Sequence, residues 1–502
     1  MAEDRAGPGG ASRALIGDGG GTLPRMALHA RSDAGESLDD DLYAAADLAA
    51  PVPKFRFPRH EIPAPQAAAL VDDQLVLDGN ARLNLATFCT TWVEPQVTDI
   101  LARHFDKNMV DKDEYPQTAQ IEERCVRMLA DLWHAPDERD SIGTSTTGSS
   151  EAAMLGGLAA KWRWRQARQA AGLDTSRPNF VCGSVQICWE KFARYFDVEI
   201  RQVPMAPGVF TLTPEQVVEQ CDENTIAVVV TFGQTYTGLY EPVAAISAAL
   251  DDLQARTGLD VPLHVDAASG GFLAPFVRPD LRWDFRLPRV KSINASGHKT
   301  GLAPIGVGWA IWRDRSDLPD DLVFSVSYLG GDSPTFNLNY SRPAAQVIAQ
   351  YYEFLRLGRA GYRRVQGRLY ESAAAIAAAV AALGPFELIY DGDPDRGIAA
   401  VSWRLREDAQ VDGRAVPWNL YDLADRMRTR GWLVPAYSLP PHQDGVSIQR
   451  VLLRHGFGRD LADVFIGDLR RAVEALTQHP PAVPMTEVEA GTSSHTGKAS
   501  VR

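Results

Sequence analysis

The sequence predicts an α/β protein: a large domain built on a mostly parallel sheet, followed by a small C-terminal α+β domain. Three observations carry this prediction. Between about residues 83 and 345, segments with apolar residues at helical spacing alternate with short β-rich runs. Those runs are near-continuously apolar, the pattern of strands covered on both faces rather than of half-exposed ones. The length, 502 residues, also exceeds what one hydrophobic core can serve.

Taken in order, residues 1–40 are Gly-rich and polar and read as a disordered tail. Residues 41–82 read as an N-terminal arm, in which DDLYAAADLAA is helical and PVPKFRFPRHEIPAP is punctuated by proline. The large domain is assigned to 83–370. In it EERCVRMLADLWHA places Val126, Leu129, Ala130 and Trp133 on one helical face. SEAAMLGGLAAKWRWRQARQAAG is a longer helix closed by Gly172. NFVCGS, VEIRQVPM and TIAVVVTFG follow as strands, and PVAAISAALDDLQARTG as an amphipathic helix ending at Gly258. VPLHVDAASGG, VKSINASGHK and GVGWAIWR are strands with turn residues at their ends. A long helix spans 345–382, with glycines at 358, 361 and 367. The small domain is assigned to 371–480 on FELIYDG, GIAAVSWRL, LYDLADRMRTRG, VPAYSL and QRVLLRHG, and 481–502 to a flexible tail.

Composition narrows the function. Acidic residues outnumber basic ones 64 to 51, for a net charge of −13, and no dense Lys/Arg block occurs. A nucleic-acid partner is therefore not expected. No apolar run approaches a membrane span, and the N-terminus lacks the apolar core of a signal peptide. Cys89, Cys125, Cys182, Cys188 and Cys221 are odd in number and show no CxxC spacing, which favours reduced thiols in a cytoplasmic protein over a disulfide framework. The ten histidines do not cluster at metal-ligand spacings, so no metal is expected.

Four motifs could carry chemistry. In HVDAASGG, Asp266 closes a strand, where ligands bind in open α/β sheets; a turn cap is the competing reading. Lys299 follows 33 positions later, in SINASGHKTG, between two apolar strands. A lysine and an aspartate converging on one pocket suit pyridoxal phosphate, whose aldehyde takes the amine and whose ring nitrogen takes the carboxylate; a structural ion pair is the alternative. GTSTTGSSEAAMLGG crowds hydroxyls before a helix, and Ser149 and Ser150 stand where free N–H groups and the helix dipole attract an anion. Simple N-capping would need one serine rather than that run. TFGQTYTGLYEP puts Thr235 and Thr237 in the loop after a strand. The order of anion cup, threonine loop, aspartate and lysine is that of a type-I aminotransferase-like fold, whose large domain holds a mostly parallel seven-stranded sheet.

At this point the chain resembles the group II pyridoxal-phosphate decarboxylases and, within them, the glutamate decarboxylases. The stretches that carry the resemblance are NLATFCTTWVEP, DEYPQTAQIEERCVRMLADLWHAP, GTSTTGSSEAAMLGGLAAKWRWR, VQICWEKFARYF, TFGQTYTGLYEP, LHVDAASGGFLAPF, INASGHKTGLAPIGVGWAIWR, YLGGDSPTFNLNYSRPAAQVIAQYYEFLRLGRAGYR and LLRHGFGRD, within about 83–460. The resemblance implies decarboxylation of L-glutamate to 4-aminobutanoate with uptake of a proton; other amino-acid decarboxylases, or a binding protein keeping the fold, are the alternatives. It implies Lys299 as the Schiff-base lysine, Asp266 at the ring nitrogen, Ser149, Ser150 and His298 at the phosphate, Thr235 at the ring substituents and Gln186 over the ring face. Ser341 is implied at a phosphate across a subunit interface. For the substrate it implies Thr87, Phe88, Asn108 and Asp111 at the distal carboxylate and Arg454 near the α-carboxylate. A homodimer is the minimum assembly implied, a hexamer the larger one. Bacterial members close their site with a histidine next to last in the chain; His495, followed here by seven residues, is the candidate counterpart, and a plain tail histidine is the alternative. Plant members carry a Trp- and Lys-rich calmodulin-binding tail, and no Trp follows Trp432, so no calmodulin tail is expected.

Overall fold

Near-continuous apolar runs do become strands buried on both sides. The computed structural model describes residues 55–492, apart from 89, 138, 327–332 and 412. The readings on the 1–40 tail, the start of the 41–82 arm, Cys89 and His495 fall outside the described residues. The described residues divide into two units, one up to Asp78 and one from Gly79. In the first, helix Ala64–Leu75 is the described regular element.

The second unit holds a seven-stranded sheet: β1 (Ile142–Thr146), β2 (Asn179–Cys182), β3 (Glu199–Gln202), β4 (Thr225–Thr231), β5 (Leu263–Asp266), β6 (Val290–Ser296) and β7 (Gly308–Trp312). Their order is β1-β7-β6-β5-β4-β2-β3. Neighbours from β6 to β3 pair in parallel, with Val230 opposite Val265 and Val265 opposite Ile293. β7 runs against both β6 and β1. The sheet is thus mostly parallel, as expected from sequence. β1 is the surprise, because its sequence, IGTST, reads as part of a polar loop. Its partner GWAIW supplies the apolar content that β1 lacks.

Burial decides the assignment. Val228, Val230, Val265 and Ile293 are fully buried, each worth about 1.5–3 kcal/mol relative to exposure. Helix Ser149–Ala170 lies on β6 and β7. It buries a face of Ala152, Ala153, Gly156, Gly157, Ala159 and Ala160. A Cβ on Gly156 would collide with the His264 ring on β5, so the small residues let helix and sheet approach closely.

After the short pair β8 (Phe324–Val326) and β9 (Ser333–Thr335), a long helix runs over Ala345–Ala382. It is broken at Gly358, where φ is 53° and ψ is −174°. Beyond it, β10 (Phe386–Tyr390), β11 (Ala400–Leu405), β14 (Ala436–Ser438) and β15 (Ser447–Leu452) form an antiparallel sheet in the order β10-β11-β15-β14. β12 (Gln410–Val411) and β13 (Arg414–Ala415) make a separate hairpin. Trp403, Leu423, Val451 and Phe465 fill the core of this C-terminal part. The C-terminal ends of β4 and β5, the turn after β6 and the start of helix Ser149–Ala170 meet at one crevice, where open α/β sheets place their ligands.

Candidate active site

That crevice is a cavity of about 360 Å³, within the usual size range for a small-molecule site. Ser149, Ser150, Gln186, Thr235, Asp266, His298 and Lys299 all line it. Seven residues from five separate stretches of sequence therefore converge as anticipated.

Asp266 is almost fully buried at the end of β5. Its Oδ2 accepts from Trp189 Nε1 at 2.8 Å; its Oδ1 accepts from Asn294 Nδ2 at 2.9 Å and from the Ala268 N–H at 3.1 Å. The turn-cap reading describes the last bond, which closes a local turn; the other two come from side chains and fix the direction of the carboxylate.

Lys299 occupies a turn after β6, with its Nζ 3.4 Å from Ser269 Oγ and 5.7 Å above the Phe88 ring. Burial pushes its ammonium below the usual lysine range; Asp266 and Cys188 oppose that shift and the Arg450 charge reinforces it. A neutral amine is the nucleophilic form. The long helix fixes this turn from behind. Gln350 Nε2 and Tyr362 OH both donate to the Gly301 carbonyl at 2.8 Å, and Gln366 Nε2 donates to the Thr300 carbonyl at 2.7 Å. Gly297 is required here because any Cβ would collide with Gln350 Oε1.

His298 sends Nδ1–H to the Val307 carbonyl at 2.8 Å. Burial, helped by the Lys299 charge and opposed by that carbonyl, takes its pKa down to about 4. Nε2 is then free, and an anion beside it would draw a proton back onto the ring.

The anion cup is narrower than its sequence suggests. Thr144 and Ser145 hydroxyls turn to Glu122 Oε1, Thr146 to the Gly148 carbonyl and Thr147 to Glu151 Oε2. Only Ser149 and Ser150 of that run remain at the helix start, which no side chain caps. A Cβ on Gly308 would lie 2.5 Å from the Gly148 carbonyl carbon and 2.6 Å from Ser149 N, and one on Gly148 would lie 3.3 Å from His298 Cε1. The glycines let β7 and His298 close around the helix N-terminus. Thr231 adds a buried hydroxyl in the cavity with no partner of its own. An uncapped helix end, an orphaned hydroxyl, a buried carboxylate and a depressed lysine fit pyridoxal phosphate.

The substrate residues separate into groups. Phe88 is at Lys299, and Thr87 beside it is exposed. Asn108 donates to Ser341 Oγ at 3.1 Å and accepts from the Arg342 N–H at 3.0 Å, while Asp111 accepts from the Glu114 N–H at 2.9 Å. Asn108, Asp111 and Ser341 are outside the lining of the Lys299 cavity. Gln186 lines it, but its Oε1 caps helix Ile187–Tyr195 through the Cys188 N–H at 2.6 Å. Arg454 faces elsewhere, donating to the carbonyls of Thr90 at 2.7 Å and Asn84 at 3.0 Å. Arg450, one turn of sequence earlier, is the cation felt at Lys299. It is 6% exposed, holds the Ala86 carbonyl at 2.7 Å and keeps an unpartnered Nε. Sequence reading missed it because RVLLRHG offers two arginines an even number of residues apart, which strand alternation does not separate; in the fold Arg450 is on β15 and Arg454 lies beyond its end at Leu452.

The description "Pyridoxal-dependent decarboxylase conserved domain" matches residues 58–406. A glutamate decarboxylase of Aliivibrio fischeri is 54% identical over 470 residues, 94% of this chain and 100% of the relative. One of Solanum lycopersicum is 44% identical over 449 residues, 89% of this chain and 88% of that one. Among solved structures, Lactobacillus brevis glutamate decarboxylase matches with a TM-score of 0.81 at 45% identity, covering 86% of this chain and 97% of that chain. These matches span both the sheet and the cavity at its edge, and this chain belongs to the pyridoxal-dependent decarboxylase family.

Proposed function

We propose that this protein is a carboxy-lyase that converts L-glutamate to 4-aminobutanoate and carbon dioxide. The observation that carries the reading is the meeting of Lys299, Asp266 and the Ser149 helix start in one cavity of a chain 54% identical to a glutamate decarboxylase. Pyridoxal phosphate, when bound, supplies the electron sink for the pair left on Cα when the carboxylate departs.

The chain's own residues do the rest. Lys299, whose ammonium form burial disfavours, is the covalent anchor and is assigned the return of a proton to Cα. Asp266 holds a proton on the ring nitrogen and, being already oriented by three donors, needs no rearrangement as charge develops. Ser149, Ser150 and His298 hold the phosphate, and Thr235 and Gln186 border the ring. The α-carboxylate is assigned to Arg450 in place of Arg454, because Arg450 has a free donor and acts on Lys299. Thr87 and Phe88 take the distal carboxylate. Asn108, Asp111 and Ser341 cluster apart from Lys299, which supports their delivery by a second copy in a dimer at least. Each turnover replaces a carboxylate by a proton and so consumes one proton. Among the described residues no helix is long and apolar enough to cross a membrane. Together with four described free cysteines, this supports a cytoplasmic enzyme.

The test is carbon dioxide release from a panel of amino acids, with borohydride reduction to map the cofactor. Release confined to glutamate and a label on the peptide containing Lys299 are expected. Preference for aspartate or an aromatic amino acid would overturn the substrate, and a label elsewhere would overturn the anchor.

A further inference from the structure

Behind Asp266 the Asn294 hydrogen bond continues into two further buried polar side chains, His264 and Ser292, that no step above uses. Asn294 on β6 donates through Nδ2 to Asp266 Oδ1 at 2.9 Å. Asn294 Oδ1 is 2.7 Å from His264 Nε2, and His264 Nδ1 is 2.7 Å from Ser292 Oγ. Asn294 is 0% exposed, His264 2% and Ser292 5%. The pattern has one consistent polarity. An acceptor at Asp266 forces the Asn294 amide nitrogen toward it, which leaves Oδ1 facing the histidine. His264 must therefore carry its proton on Nε2, and its Nδ1 accepts from the serine hydroxyl. Burial, opposed by Asn294 and Asp266, lowers the His264 pKa and keeps the ring neutral, as this arrangement requires. The imidazole is locked in place: it stands 5.1 Å from Trp189, edge to face, and Gly156 leaves the room its ring occupies. Trp189 is itself the donor to Asp266 Oδ2.

We propose that Ser292, His264 and Asn294 are positioning residues that orient Asp266 toward the ring nitrogen of the cofactor. This rests on the reading of Asp266 as the ring-nitrogen partner. Strand pairing explains why the array is rigid. His264 pairs with Ser292 and Asp266 with Asn294 in the β5–β6 register, so all four side chains are set by adjacent parallel strands. Flipping the Asn294 amide would set two oxygens against each other at Asp266 and two donors against each other at His264. The Asp266 carboxylate, which only accepts, fixes the amide, and the histidine completes the array by donating from Nε2 to Asn294 Oδ1.

The experiment compares the binding of pyridoxal phosphate with that of its 1-deaza analogue, whose ring carries CH in place of the nitrogen, by equilibrium fluorescence on the full-length protein. Variants are Asp266→Asn, Asn294→Leu, His264→Phe and Ser292→Ala, each checked by thermal unfolding. For wild type the natural cofactor binds more tightly than the analogue. Asn294→Leu reduces that preference about tenfold, the loss expected for one hydrogen bond to a charged group; His264→Phe reduces it less, and Ser292→Ala least. The analogue itself binds the three positioning variants about as it binds wild type. A purely structural role would lower both affinities together and leave the preference intact, which overturns the proposal. If wild type and Asp266→Asn show no preference between the two cofactors, the reading of Asp266 itself fails instead. Ser292→Ala, the mildest change, keeps the test valid if His264→Phe does not fold.

Discussion

The aspartate and the lysine of this site are held in opposite ways. Asp266 is at the end of an inner strand, and side-chain donors from its neighbours grip the functional oxygens directly. Lys299 is on a turn, and the long helix grips the backbone of that turn at Thr300 and Gly301, not the amine. In the proposed role, a ring partner would have to stay still while charge grows on the cofactor, which matches the immobilised oxygens of Asp266. An anchoring amine would have to exchange the cofactor with substrate, which matches a lysine fixed only at its base. Lys299 Nζ keeps one long contact, to Ser269 at 3.4 Å.

Substitution of the two residues tests that contrast most strongly. Lys299→Ala removes the anchor, and turnover falls on the order of 10⁴-fold or more, as for loss of a covalent catalytic group. The cofactor still enters and dissociates freely on dialysis. Asp266→Asn costs about 10²–10³ in kcat, the range for losing one preorganised electrostatic group, with KM for glutamate little changed. Single-turnover kinetics on both variants would measure this. An Asp266→Asn enzyme with normal kcat would mean that the rigid half of the site is not needed for charge stabilisation.

The next contrast is between two arginines four residues apart. Both are nearly buried. Arg450 keeps a free Nε and acts on Lys299, whereas Arg454 ties down two carbonyls of the 84–90 segment. Arg450→Ala is expected to raise KM for glutamate about 10- to 100-fold, the loss of a charge-assisted contact with a carboxylate. Arg454→Ala is expected to lower thermal stability by about 1–3 kcal/mol through orphaned carbonyls, with a smaller change in KM. Steady-state kinetics beside thermal melts give both numbers. The reverse pattern would return the α-carboxylate to Arg454.

These arginines also show what sequence could and could not reveal. Asp266, Lys299 and the serines at the helix start were legible because each stands at a strand end or helix start, and those positions are written in hydrophobic runs and turn residues. The surplus hydroxyls of GTSTTG misled, because their partners, Glu122 and Glu151, reach them through the fold or across a helical turn. Strand β1 was hidden because IGTST gains its apolar surroundings from other segments, β7 and the helices Pro116–Leu132 and Ser149–Ala170. Asn294 and His264 look like ordinary residues of buried strands; only the register of β5 against β6 joins them to Asp266. Gly297 shows the same limit: its need for no side chain comes from Gln350, more than fifty positions away.

The smallest expected effect concerns two buried glutamates, one on each side of the contrast. Glu241 accepts from the Thr231 N–H at 2.6 Å at the end of β4, and Glu353 is on the helix that grips the lysine turn. Burial pushes both up to about 7; hydrogen bonds oppose the shift at Glu241, while at Glu353 the Glu94 charge adds to it and Arg356 opposes it. Arg356 is paired with Glu94 at 3.1 Å, which limits its help to Glu353. An acid whose folded pKa lies above its unfolded value binds its proton more tightly when folded. Its contribution to stability is then lost as pH rises from about 4.5 to about 7. Buried His264 and half-buried His298 and His455 have lowered values and act in the opposite sense below about 6.5, so wild type alone would show a blurred profile. The difference between a variant and wild type removes them. Glu353→Gln, which has no proton to lose, should gain unfolding temperature relative to wild type as pH rises from 5 to 7, then level off; Glu241→Gln should do the same. A difference that stays constant or shrinks across that range would show that burial does not raise the pKa of these carboxyls in the folded enzyme.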